Sequence, residues 1–158
     1  MNPYLKQYQQ SQIQTASPEK ILIMLYDGAI QFLNKALKAV DDNDIQESHN
    51  NIIGAQRIIS EFMNTLDVEA GGDVCKNLYS LYEYLHYRLV QANIQKNKVM
   101  LEEVMHHLKE LKETWEEAIR IASKEKDSSD VDLKADTEDI EEDDDDEDEE
   151  NEDDGFVG

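Results

Sequence analysis

The sequence contains very few residues that would interrupt a helix. Its 158 residues include only two prolines, Pro3 and Pro18, and six glycines. Proline and glycine most often punctuate regular structure, so their scarcity favours long helices. No stretch alternates apolar and polar residues with the period of two that a half-buried strand requires. The chain is therefore predicted to be all-α.

Capping signals mark where the first two helices begin. Ser17 followed by Pro18 is typical of an N-cap and a first helical position, and this helix is predicted to run to about residue 40. Asp44, with Glu47 three residues later, forms a capping pair for a second helix that ends near residue 66.

A glycine pair separates the second helix from the remaining two. Gly71 and Gly72 are expected to break the chain before a third helix at residues 74–94, and a fourth is predicted at residues 98–123. The predicted helices have similar lengths and short connections. This pattern indicates an antiparallel up-and-down four-helix bundle.

Acidic residues are concentrated at the C-terminal end. Residues 127–158 contain 19 of the 37 acidic residues and one of the 15 lysines and arginines, so their net charge is about −18. A segment this charged, with so little to bury, cannot offset the entropy of ordering. Three regions are predicted: an N-terminal arm at 1–16, a four-helix-bundle domain at 17–126, and a disordered acidic tail at 127–158.

Composition argues against several classes of protein. Cys75 is the single cysteine, so no intramolecular disulfide can form. No secretory leader and no apolar run of membrane-spanning length is recognised, which indicates a soluble cytosolic protein without membrane insertion. The basic residues are scattered and the tail would repel a phosphate backbone, so no nucleic-acid partner is expected.

Two Glu-x-x-His motifs are the patterns closest to a metal site. Glu83 with His86, and Glu103 with His106, would match the ligands of a di-iron bundle if they faced the core. At about 100° per residue they lie opposite the apolar stripes of their helices, so they are expected to face solvent. No phosphate-binding glycine loop or nucleophile motif is present. We therefore expect no metal, no cofactor and no enzymatic activity.

The fourth helix has a single apolar stripe and an otherwise polar surface, as a bundle helix should. The residues expected in this stripe are Met100, Leu101, Val104, Leu108, Leu111, Trp115, Ala118, Ile119 and Ala122.

The first helix is apolar over a much wider arc. Its apolar positions, from Ile21 round to Ile23, span about 200°. A helix in a four-helix bundle buries a narrower face, so a second apolar surface is predicted. The polar sector is formed by Asp27, Gln31, Asn34, Lys35 and Lys38.

The second and third helices also place apolar or aromatic residues away from their main stripes. Ile53 and Ile58 lie outside the stripe of the second helix, and Tyr79, Tyr84 and Tyr87 lie outside that of the third. Such residues either pack at the rim of the core or form a docking surface for a partner helix. The two main stripes are Ile52, Ala55, Ile59, Phe62 and Leu66, and Val74, Leu78, Leu81, Leu85, Leu89 and Ala92.

Four long stretches closely resemble the flagellar secretion chaperone FliS family. They are TASPEKILIMLYDGAIQFLNKA at 15–36, NIIGAQRIISEFMNTLD at 51–67, GGDVCKNLYSLYEYLHYRLVQAN at 71–93 and LEEVMHHLKELKETWEEA at 101–118. The resemblance extends over residues 4 to about 120. It implies a cytoplasmic antiparallel four-helix bundle that binds the disordered C-terminal segment of flagellin and prevents premature polymerisation. It further implies delivery of flagellin to the export gate of the flagellar type III secretion system.

The resemblance also implies that the surplus apolar surface contacts flagellin. A homodimer of the client-free protein is an alternative that the sequence does not decide. The residues expected in this flagellin-binding groove are Ile21, Met24, Leu25, Ile53, Ile58, Tyr79, Tyr82 and Tyr87.

The N-terminal arm carries Tyr4, Leu5, Tyr8 and Ile13, spaced like an amphipathic turn. One interpretation is an arm that simply packs on the bundle. The resemblance implies another, in which the arm covers the empty client groove and Leu5 and Tyr8 dock to the export gate.

The acidic tail departs from the family pattern, in which the chain ends soon after the fourth helix. It is either a solubilising extension or a segment that screens the client groove or repels other acidic molecules. It also supports a competing prediction for the whole protein: an acidic-tail scaffold or histone-type chaperone that binds basic partners.

Overall fold

The computed structural model describes residues 17–141, with side-chain positions for residues 17–129. Within this range the chain forms four helices and no strand, which confirms the predicted all-α fold. The arm residues Tyr4, Leu5, Tyr8 and Ile13, and the tail residues 142–158, lie outside the described part. The helices are α1 (Pro18–Asp41), α2 (Ile45–Thr65), α3 (Val68–Gln95) and α4 (Lys98–Glu141).

A side-chain cap precedes each helix. Ser17, Asp44, Asp67 and Asn97 each accept a hydrogen bond from the backbone N–H three residues later, at 3.2, 3.1, 3.1 and 3.1 Å. A cap of this kind stabilises a helix by about 1 kcal/mol. The caps predicted at Ser17 and Asp44 are confirmed.

The break predicted at the glycine pair is present inside the range of α3. Gly72 is not helical, with φ 64° and ψ −146°, and α3 consists of two helical segments on either side of this kink. Positive φ is readily adopted by glycine, so the chain can turn here. The short helical segment that begins at Val68, capped by Asp67, was not predicted.

The fourth helix ends later than predicted, at Glu141 instead of near residue 123, and so continues into residues that were expected to be disordered. Neither proline nor glycine occurs between Gly72 and Gly155, so no strong helix breaker stops it. The chain divides after Glu116 into two units, and the bundle belongs to the first. Ala118 and Ala122 are exposed, so the expected extension of the apolar stripe to these alanines was wrong.

Ion pairs show that α1 and α4 run antiparallel. Lys112 Nζ lies 2.6 Å from Asp27 Oδ1, and Lys98 Nζ lies 2.7 Å from Asp41 Oδ1. Moving along α1 toward its C-terminus, the facing residues of α4 therefore have decreasing numbers.

The contacts between α2 and α3 show the same reversal. The rings of Phe62 and Tyr82 have their centroids 5.2 Å apart, and Asn93 Nδ2 lies 2.9 Å from His49 Nδ1. With short connections between successive helices, these pairs confirm the up-and-down bundle topology.

The core contains side chains from all four helices. Val74 was expected in the stripe of α3 but is 76% exposed, because the packed part of α3 begins one turn later, at Leu78. The fully enclosed apolar residues are Tyr26, Ala29, Leu33 and Ala36 from α1, Ile52, Ala55, Ile59 and Phe62 from α2, Tyr82, Leu85, Leu89 and Ala92 from α3, and Leu101, Val104 and Leu108 from α4.

One aromatic residue from each helix joins a single cluster inside the bundle. Phe62 stacks on Tyr26 with ring centroids 4.5 Å apart and also packs against Tyr82, with ring centroids 5.2 Å apart. The Tyr26 hydroxyl is hydrogen-bonded to that of Tyr82 and accepts a hydrogen bond of 3.1 Å from Trp115 Nε1. Burial raises the pKa of Tyr26, so its hydroxyl stays protonated and available as a donor. We call Tyr26, Phe62, Tyr82 and Trp115 the aromatic cluster.

Removing the Tyr26 hydroxyl should destabilise the protein more than removing that of Tyr82. Tyr26→Phe removes two hydrogen bonds, to the buried Tyr82 hydroxyl and to the half-buried Trp115 ring, and a buried group left unsatisfied costs about 1–3 kcal/mol. Tyr82→Phe removes one bond and leaves Trp115 paired, for a net loss of about 1 kcal/mol. Urea unfolding followed by circular dichroism measures both. A larger loss in Tyr82→Phe would contradict this hierarchy, and Tyr87→Phe, on an exposed ring, serves as the control.

Two glycines set the distance between α1 and α2. A Cβ at Gly28 would meet Ile58 Cδ1 at 3.4 Å, an ordinary contact, whereas a Cβ at Gly54 would lie 2.8 Å from the Phe32 ring. The absence of a side chain at Gly54 thus leaves the space that the Phe32 ring occupies.

Alanine should therefore have opposite effects at the two glycines. Gly28→Ala should stabilise the protein by about 0.5–1 kcal/mol through helix propensity. Gly54→Ala should destabilise it by about 1–2 kcal/mol, since overpacking against Phe32 outweighs that gain. Thermal unfolding measures the sign of each change. Phe32→Leu should lessen the penalty of Gly54→Ala, and equal shifts at both glycines would argue against the close contact.

Candidate functional site

Most of the apolar surplus of α1 is used by the core. Side chains on both sides of its buried stripe pack partly buried against the core, so the wide apolar arc mainly reflects a helix with a broad core-facing side. Ile21 and Met24 are half-buried and do not belong to the core cluster. They lie about 60° apart on the helical wheel, so they share one side of the first turns of α1. We call this pair the α1 apolar face.

The residues predicted for flagellin binding fall into different places. Leu25 and Ile58 are half-buried and pack against the core, whereas Tyr79 is half-buried outside the core cluster. Tyr82 is 2% exposed and belongs to the aromatic cluster, so its assignment to a surface groove was wrong. The sequence contained the reason: Tyr82 follows Leu78 by four residues and therefore lies on the same side of the helix.

Ile53 and Tyr87 line two adjoining parts of a shallow groove between α2 and α3. Two open depressions of about 360 and 280 Å³ share Ser60 and His86 and so form one continuous feature. None of the described residues that line it comes from α1, so the α1 apolar face is separate from it. The α2–α3 groove is lined by Ile53, Gln56, Arg57, Ser60, Glu61, Met63 and Asn64 of α2 and by Glu83, His86, Tyr87 and Val90 of α3.

Gln56 is the unusual member of this groove. Its side chain is 8% exposed, and its Oε1 is buried without a hydrogen-bond donor among the described residues. The other two buried polar side chains of residues 17–129 are paired: Ser48 donates to the Ile45 carbonyl, and Asn51 donates to the Glu47 carbonyl. An unpaired buried acceptor typically costs about 1–3 kcal/mol. The helical wheel places Gln56 between Ile52 and Ile53, so its burial could have been expected from the sequence.

Glu83 and His86 of α3 line the α2–α3 groove, whereas the Glu-x-x-His residues of α4 have other partners. Glu103 accepts hydrogen bonds from the Tyr84 hydroxyl, at 2.5 Å, and from Arg88 Nη2, at 2.7 Å. These donors, Tyr84 first, lower the pKa of Glu103. His106 pairs with Glu110 at 3.1 Å, and no three His, Cys, Asp or Glu side chains among the described residues are grouped to hold a metal ion. Glu103, Tyr84 and Arg88, which we call the Glu103 cluster, therefore link α3 to α4.

The Glu103 cluster should give the protein a measurable dependence on acid pH. The folded pKa of Glu103 lies below its ordinary value of 4.5, so its stabilising effect is present above pH 4.5 and is lost as pH falls through the folded pKa. Glu103→Gln should therefore be less stable than the wild type at neutral pH, and the two should converge in acid. Urea unfolding between about pH 3 and pH 7 measures the difference. A constant difference across this range would exclude the mechanism.

Large apolar side chains are also exposed where α2 and α4 begin and where α3 ends. Ile45 is 70% exposed, Ile94 78% and Val99 72%. Isolated exposed apolar residues are common on soluble proteins, so we assign them no function. None of the described helices combines the length and apolar character needed to cross a bilayer.

The bundle, with half-buried apolar side chains outside its core and an open groove, has the character of a helical binding protein. A family model described as "Flagellar protein FliS" matches residues 1–122. The chain belongs to this FliS family, which gives it the role of a flagellar secretion chaperone rather than of a catalyst.

Individual relatives agree with the family match. The chain is 34% identical to a flagellar secretion chaperone FliS of Bacillus subtilis over 128 residues, covering 81% of this chain and 94% of that one. It is 36% identical to flagellar secretion chaperone FliSB of Pseudomonas aeruginosa over 116 residues, covering 71% and 92%. A crystal structure of a bacterial flagellar chaperone superposes with a TM-score of 0.62 at 18% identity, covering 75% of this chain and 98% of that chain, which shows the shared fold.

Proposed function

We propose that the protein binds the C-terminal segment of flagellin in the bacterial cytosol, keeps it from polymerising prematurely, and delivers it to the flagellar type III export gate. The observation that carries this proposal is membership of a secretion-chaperone family, in a bundle with apolar side chains outside its core. The proposed client contacts are the α1 apolar face, Tyr79 and the α2–α3 groove.

Apolar contacts suit a chaperone whose client is disordered when free. Burying an apolar side chain of this size stabilises a complex by about 1.5–3 kcal/mol. Several such contacts are needed, because ordering the client consumes about 2–5 kcal/mol of the gross interaction energy. The resulting complex is tight enough to hold the client and weak enough to release it at the export gate.

Delivery to the gate is assigned to the N-terminal arm, with Leu5 and Tyr8 as the docking residues. The support for this assignment is the resemblance of these positions to those of the family. The acidic tail is not required by the proposed mechanism, since the client contacts lie within residues 17–126.

Alanine at Ile21 and at Tyr79 should each weaken flagellin binding by about tenfold, or about 1.4 kcal/mol. Each change removes a half-buried apolar side chain from the proposed surface without opening the core. Titration calorimetry with the C-terminal segment of flagellin measures the affinity of the full-length variants.

Each of these two substitutions has a matched control, in which the same type of residue is replaced outside the proposed binding surface. Ile94→Ala removes the same side chain from a position that is 78% exposed, and Tyr84→Ala removes a tyrosine of α3 on the side that faces α4. Both controls should bind like the wild type. Unchanged affinity in Ile21→Ala and Tyr79→Ala would refute the placement, and no binding by the wild type would refute the proposed function.

A further inference from the structure

The α2–α3 groove has dimensions suited to a short helical segment. Its lining residues on α2 run from Ile53 to Asn64, about three turns or roughly 16 Å of helix. Its walls are two neighbouring antiparallel helices, and an amphipathic helix laid along such a groove places apolar side chains at intervals of three and four residues. Ile53, Met63 and Tyr87 provide apolar contacts along its length.

The polar residues of the groove differ in how accessible they are. Arg57, Glu61 and Glu83 are exposed, so their charged groups are already solvated by water. Gln56 is more than nine-tenths buried and its Oε1 reaches neither water nor a described donor. It is therefore the group that would gain most from a hydrogen bond supplied by an occupant.

The Gln56 amide borders the space that such an occupant would fill. Gln56 lines the groove, and its Oε1 is buried there without a described donor. Turning the terminal amide would only exchange Oε1 for Nε2 and place an unpaired donor at the same position. A donor of the bound chain that reaches Oε1 would therefore relieve a cost that the side chain cannot relieve by itself.

We infer that Gln56 is a specificity-determining residue of the α2–α3 groove, which accepts a hydrogen bond from an otherwise apolar client helix lying between α2 and α3. The client is the flagellin segment, so this inference rests on the proposed function. The bound segment must present one donor opposite Gln56, either a polar side chain or a free N–H of its first turn. A helix with only apolar residues at that point would leave Oε1 unpaired and would bind less well.

Gln56→Met tests this inference, because methionine is unbranched like glutamine and fills similar space without a strong acceptor. In the full-length protein this variant should bind the C-terminal segment of flagellin about tenfold more weakly than the wild type. Its unfolding midpoint in urea should be unchanged or higher, because the orphaned acceptor is gone. A purely structural role for Gln56 would instead lower that midpoint.

Gln46→Met is the matched control, since Gln46 is an exposed glutamine of the same helix, hydrogen-bonded to Asn50. It should bind flagellin like the wild type. Binding by Gln56→Met within twofold of the wild type, or an equal loss in both variants, would overturn the role of Gln56 while leaving the proposed function intact. A wild type that fails to bind the segment would overturn both.

Discussion

The four helices of this bundle are held in register by the aromatic cluster, to which each contributes one ring. Phe62 packs against both Tyr26 and Tyr82, and the Tyr26 hydroxyl bonds to both Tyr82 and Trp115. Apolar contacts alone tolerate sliding of one helix along another, but a buried hydroxyl must keep its partners. The cluster thus fixes the axial position of α1, α3 and α4, while the close approach of Phe32 to Gly54 fixes α2 against α1.

This arrangement decides which apolar residues remain outside the core. A four-helix bundle has one central layer, and the cluster with its aliphatic neighbours fills it, so Ile21, Met24 and Tyr79 are left half-buried around it. The groove between α2 and α3 is a separate open surface. A chaperone needs such surfaces to hold an apolar client, and exposure is limited because each side chain is partly covered by its neighbours.

Much of this could be predicted from the sequence, and the failures have identifiable causes. Ser17, Asp44 and the helical periodicity located the helices because capping and amphipathicity are local properties. Tyr82 was misplaced because it was assigned to the client groove with the off-stripe tyrosines of its helix, although its spacing from Leu78 places it in the core. The end of α4 was misjudged because charge was weighed above the lack of helix breakers. The groove could not be predicted, since it depends on how α2 and α3 pack together.

The central claim is that binding energy lies in apolar surfaces of the bundle, not in the acidic tail. Titration calorimetry of the full-length protein with the C-terminal segment of flagellin, at several temperatures and at low and high salt, tests it most directly. The account predicts tight binding with a large negative heat-capacity change and weak dependence on salt, because apolar surface is buried. Binding that is lost at modest salt, with little change in heat capacity, would contradict it and place the function in residues 127–158.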